Sequence, residues 1–147
     1  MKSKVAQPVA LICTFTWIGF ICAISFMEAW LKFRAPGVTL PIGLGIGRLV
    51  FAALNKVEWV FALAILISSL KTIRKTSINP FYIVVVLVLI LQTTWLLPAL
   101  DARAQLYIDG KNVPHANLHI YYVIAEGVKI ISLFIFGTQL FKLEKCS

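Results

Sequence analysis

The chain has 147 residues, of which 60% are hydrophobic and 14% charged, with a formal net charge of +8, and its mean hydropathy is +0.89. That balance excludes an ordinary soluble domain; the length admits one domain of about four membrane-spanning helices of roughly 20 apolar residues each, and no second folded unit. The charge would point to nucleic acid in a soluble protein, but here Lys and Arg gather in short segments between apolar runs, a pattern that membrane topology explains without any nucleic acid.

The first apolar run, from about 9 to 33, follows Lys2 and Lys4 and carries no charge before Glu28. It is too long for the hydrophobic region of a signal peptide and ends in Trp30, Lys32 and Arg34, so it reads as a retained helix with interfacial anchors. Between Pro36 and Gly47, two prolines and four glycines predict a turn, a broken helix or a shallow re-entrant piece. The second span is therefore placed at about 47 to 70, ahead of the basic turn Lys71, Arg74, Lys75.

Asn79-Pro80 opens the third span, whose uncharged run extends from about 80 to 100. Asp101 to Leu118 is the longest polar connection, and Asn112 and Pro114 signal the start of a fourth helix over about 118 to 141. The expected fold is all-α, an integral membrane four-helix bundle. Seven cationic residues (Lys2, Lys4, Lys71, Arg74, Lys75, Lys142, Lys145) fall on one face against Lys32, Arg34, Arg103 and Lys111 on the other, so both termini are expected inside. A bacterial inner membrane is the expected location.

Polar residues recur inside the second and fourth spans with one spacing. Arg48, Asn55 and Glu58 stand at steps of seven and three, and His119, Glu126 and Lys129 repeat those steps. At ~100° per residue each set forms one stripe roughly 15 Å long. With both termini inside, the two spans run parallel, so Arg48 is expected level with His119, Asn55 with Glu126, and Glu58 with Lys129.

Glu58 and Lys129 are expected to pair, because an unpaired charge in hydrocarbon is costly; Lys56 is the competing partner for a glutamate on another helix. Asn55 or Arg48 then bonds Glu126, and Tyr122 adds a hydroxyl on the same face. Glu28, Gln92, Asp101 and Arg103 are secondary polar candidates. The bland alternative is that such pairs fix which helix packs on which, without transport or catalysis.

His115 and His119, four apart, share a helical face as two metal ligands must, but no third ligand has diagnostic spacing; an interfacial pair that caps the helix start is the simpler reading, and no metal or cofactor is expected. Gly43, Gly45 and Gly47 lack the Lys-Ser/Thr ending of a phosphate loop, and Gly43 and Gly47 read better as a point of close helix approach. Cys13, Cys22 and Cys146 are scattered and form no Cys-x-x-Cys pair, which argues against a disulfide framework and against thiol-disulfide chemistry.

Asn55-x-x-Glu58 with Arg48 upstream resembles the motif of the membrane-associated eicosanoid and glutathione metabolism enzymes, four-span proteins of about this length. The arginine-to-asparagine gap differs, and the fourth helix lacks that family's Arg and Tyr pattern. More of the chain, about 43 to 137, resembles the four-span family known as domain of unknown function 4149, which includes transmembrane protein 205-like proteins. That likeness rests on Gly45-x-Gly47-Arg48-Leu49-x-Phe51, Leu54-Asn55, Trp95-Leu96-Leu97-Pro98 with Asp101 and Arg103, and Leu118-His119. It implies a small polytopic membrane protein without an assigned reaction; Glu58, Glu126 and Lys129 match no position of its pattern.

The leading expectation is a non-enzymatic membrane protein with a polar pocket in its outer half that binds or passes a small solute or proton, as a homo-oligomer. A membrane-embedded enzyme acting on a lipophilic substrate, with Glu126 or Glu58 as acid or base, is the alternative from another class. An assembly subunit is the third.

Overall fold

A computed structural model describes residues 3–5, 7–72, 79–113 and 117–143. Within them run four helical rods, each long and apolar enough to cross a membrane. The first, α1 (Pro8–Arg34), begins with Pro8 in its opening turn, where a missing N–H costs nothing, widens to π geometry over Cys22–Glu28, and ends in a tight turn over Lys32–Arg34. The second, α2, runs unbroken from Leu40 to Thr72.

Helix α2 therefore starts about seven residues before the expected position, and the Pro- and Gly-rich stretch is its first two turns rather than a broken or re-entrant piece. The physical reason lies in the residues that open it. The Thr39 carbonyl accepts the Gly43 amide at 2.9 Å, and Pro41 falls in the first turn, where it starts a helix instead of ending one. Gly37, at φ 81°, makes the sharp turn between α1 and α2.

The third rod, α3 (Pro80–Ile108), opens on Asn79, whose side chain accepts the Phe81 amide at 3.0 Å. It too outruns its expected end, since Asp101 and Arg103 belong to the helix and not to a loop. A π turn over Gln92–Leu96 precedes Pro98 and is closed by a bond from the Leu97 amide to the Gln92 carbonyl, so the helix passes the proline. It stops at Gly110, φ 68°, with the Lys111 amide bonded back to the Leu106 carbonyl at 3.0 Å. The fourth rod, α4, spans Leu118–Gln139.

The rods form a ring. α1 packs on α2 and α4, and α3 packs on the same two, so neighbours are antiparallel while α2 and α4 face each other across a diagonal. The half of the bundle nearer the termini is filled by Trp17, Ile21, Ile65, Val85, Leu89 and Leu133, all buried. Outside, every rod presents large apolar side chains: Ile12, Leu49, Val60, Leu87 and Ile131 are each more than half exposed. A soluble monomer does not carry such a continuous apolar coat.

Two three-residue strands complete the fold. β1 (Ser3–Val5) pairs antiparallel with β2 (Phe141–Leu143), Val5 opposite Phe141, so the segments before α1 and after α4 meet at one end of the bundle.

Candidate functional site

Where the ring's interior passes from apolar to polar, three charged side chains meet with almost no exposure: Glu58 at 1%, Glu126 and Lys129 at 0%. The Lys129 ammonium reaches across the diagonal to donate to Glu58 Oε1, and one turn along its own helix it lies 3.2 Å from Glu126 Oε2. Two carboxyl groups thus share one ammonium. The rest of their coordination comes from neutral donors on the other two rods: Trp17 Nε1 donates to Glu58 Oε1 at 2.9 Å, and Gln92 Nε2 donates to Glu126 Oε1 at 3.0 Å. All four helices therefore contribute to one buried polar centre, and low dielectric strengthens each of its bonds.

The spacing of the two triads anticipates the Glu58 and Lys129 pair, but not the other levels. Glu126 takes its amide from Gln92 and not from Asn55 or Arg48. Asn55 instead donates from Nδ2 to Thr93 Oγ1 at 3.0 Å, beside Trp59 Nε1, which donates to the same oxygen at 3.0 Å, while the threonine hydroxyl donates to the Leu89 carbonyl at 2.8 Å. Arg48 turns to α3: it donates to both oxygens of Asp101, from Nη2 to Oδ2 at 2.9 Å, and to Gln105 Oε1. The cause is the length of α3, whose extra turns bring Asp101 and Gln105 opposite the start of α2. Lys56 pairs with no glutamate among the described residues; it is exposed, one position from Asn55.

Beyond the charged centre, away from the termini, the rods separate around a cavity of about 430 Å³. Its walls are largely apolar, from Phe33, Leu44, Phe51, Leu97, Leu100 and Tyr122, and its polar groups are Lys32, Arg48, Asn55, Lys56, Thr93, Asp101 and His119. Tyr122 is 2% exposed and stands edge-on to Phe51 with ring centroids 5.2 Å apart. It forms the floor between the cavity and Glu126. Neither Glu58 nor Glu126 lines the cavity.

Gly43 and Gly47 are points of close approach, made by side chains of α1 rather than by its backbone. A methyl group at Gly43 would overlap the Phe33 ring, and one at Gly47 would sit 2.8 Å from Lys32 Nζ. Lys32 is thereby drawn into the cavity wall, only 8% exposed, 3.3 Å from Glu28 Oε2 and 5.2 Å from the centre of the Phe51 ring. The sequence reading takes Lys32 only as an interfacial anchor and does not single out Gln105. Gln105 stands one helical turn beyond Asp101, a signal available only once α3 is known to continue.

Arg103 lies over the Tyr107 ring at 5.9 Å, away from the cavity wall, and His119 is exposed at the cavity rim. His115 and Cys146 lie outside the described residues, as does the turn bearing Arg74 and Lys75. Among the described residues, no group of three or more His, Cys, Asp or Glu could hold a metal ion, and Cys13 and Cys22 are free. No family model, curated protein or solved structure matches the chain.

Proposed function

We propose that the chain is a multi-pass membrane protein, with both termini on the cytoplasmic side, that binds a small amphiphile in the cavity at its outer end without converting it. The continuous apolar coat supports insertion, and the larger share of Lys and Arg at the terminal end supports the orientation. The observation that carries the binding reading is the cavity itself: about 430 Å³, mainly apolar, with a few convergent polar groups, the proportions of a small-ligand site.

The same geometry disfavours passage through the bundle. Below Tyr122 the charged groups engage one another, and below that Trp17, Ile65, Leu89 and Leu133 are fully buried apolar residues, while the buried Thr14 and Tyr82 hydroxyls donate to the Ala10 and Ala62 carbonyls. The two glutamates lie beneath the floor and engage Lys129, which leaves them poorly placed to act on a cavity ligand as acid or base. Their role in this reading is to hold α2 and α4 in register, the use of buried polar groups best attested in helical assemblies.

Purification in a mild uncharged detergent followed by native mass spectrometry tests the binding. The wild-type protein is expected to retain one copurified amphiphile, and Ala52→Trp, which fills the cavity from its exposed edge, is expected to lose most of it while keeping the wild-type melting temperature. Equal retention by both proteins would place any bound amphiphile elsewhere.

A further inference from the structure

The cavity is more positive than its neighbouring acids can neutralise. Three permanent cations line it, Lys32, Arg48 and Lys56, against one carboxylate, Asp101. Asp101 is taken up by Arg48, and Glu28, just beyond the wall, by Lys32. Three cations less two carboxylates leaves one positive charge, and it resides on Lys56, which has no acidic partner among the described residues.

The position of Lys56 makes that surplus unusual. It stands midway along α2, sixteen residues from Leu40 and sixteen from Thr72, and eight residues, or about 12 Å, deeper than Arg48. A lysine on the surface of a soluble protein is neutralised by water and salt; one at this depth in a bilayer needs an anion or a route to water. Its side chain reaches the cavity that holds Lys32 and Arg48. Lys32 is held by one carboxylate oxygen at 3.3 Å and by the ring faces of Phe33 and Phe51, which leaves N–H capacity on a nearly buried ammonium beside the same space.

Resting on the binding reading above, we infer that the cavity selects an anionic amphiphile: a single carboxylate or phosphate head held among Lys56, Lys32 and Arg48, with its hydrocarbon chain against Phe51 and Leu97. The carboxylate of a free fatty acid and the phosphate of a lipid headgroup share this chemistry. Both bring the missing negative charge together with apolar surface.

The test uses the full-length protein in uncharged detergent and three probes of equal chain length: a fatty acid, a lysophosphatidylglycerol and a neutral monoacylglycerol. Inorganic phosphate is the fourth. Both anionic amphiphiles are expected to bind about ten-fold tighter than the neutral one, a difference of ~1.4 kcal/mol, with inorganic phosphate weaker than any of them; the ranking of the two anions tells a fatty acid from a lipid headgroup. Lys56→Met is expected to abolish the preference and Lys56→Arg to keep it.

Equal binding of neutral and anionic probes by the wild type would overturn the charge selection and leave the amphiphile site standing. Failure of every amphiphile to bind would overturn both. Phosphate binding as tightly as the lysolipid would overturn the requirement for a hydrocarbon chain. A dimer that persists without any probe and dissociates in Lys56→Met would assign the missing anion to a second copy of the chain and overturn the inference.

Discussion

Lys129→Met is expected to destabilise the protein by roughly 3–5 kcal/mol, the range seen when one partner of a buried ion pair is removed. Methionine matches the length of the lysine stem but leaves Glu58 and Glu126, both essentially unexposed, without their shared ammonium. Adding Glu58→Gln removes one of the two stranded carboxyl groups and keeps an amide oxygen for Trp17 Nε1 to donate to, so the double variant is expected to recover part of the loss. Denaturant unfolding in a fixed detergent measures all three proteins. A double variant no more stable than either single one would mean that the pair is not energetically coupled.

Trp17→Ala is the second large effect, about 3–5 kcal/mol. Trp17 is fully buried, stacks on Phe61 at 6.2 Å between ring centroids, and supplies the only hydrogen bond from α1 to the charged centre among the described residues. Trp17→Phe separates its two roles. Phenylalanine retains most of the packing and removes the N–H donor, and a hydrogen bond to a charged group is worth roughly 1.5–3 kcal/mol, so it should fall between wild type and Trp17→Ala. Equal stability of Trp17→Phe and wild type would show that Glu58 does not depend on the indole.

The difference between these two sites is also the difference between what the sequence discloses and what it hides. Glu58 and Lys129 stand out because a charge in an apolar run violates the local pattern, and the repeated spacing aligns them once the two spans are taken as parallel. Trp17 violates nothing: in an apolar run, a tryptophan that donates to a carboxylate looks the same as one that only packs. Gln92, rather than Asn55, satisfies Glu126 because of a choice between neighbouring helices, which no single-helix periodicity contains.

The helix ends failed for a related reason. By composition Pro41 reads as part of a break and Asp101 as the end of a span, whereas the outcome depends on the turns around them: Thr39 makes Pro41 an opening residue, and α3 runs through a wide turn and past Pro98 to Ile108. That error carried into the site. Ending α3 at Leu100 leaves Asp101 and Gln105 off the helix, and the repeated spacing of the two triads alone then sets Arg48 level with His119. The four long apolar helices themselves were legible, because length and hydropathy determine them without reference to any partner.

The clasp between Ser3–Val5 and Phe141–Leu143 constrains how many rods the fold can hold. It can close only when Phe141–Leu143 return to the end of the bundle from which Ser3–Val5 depart, so a fold that skips or adds one rod leaves these two edge segments separated by the length of the bundle. Closure thereby acts as a parity check, compatible only with an even number of rods between the two strands. It also brings Ser3–Val5 and Phe141–Leu143 near enough for a short peptide splice, making Gly110–Lys111, just past the end of α3, a natural position for fresh termini in a circularly permuted chain.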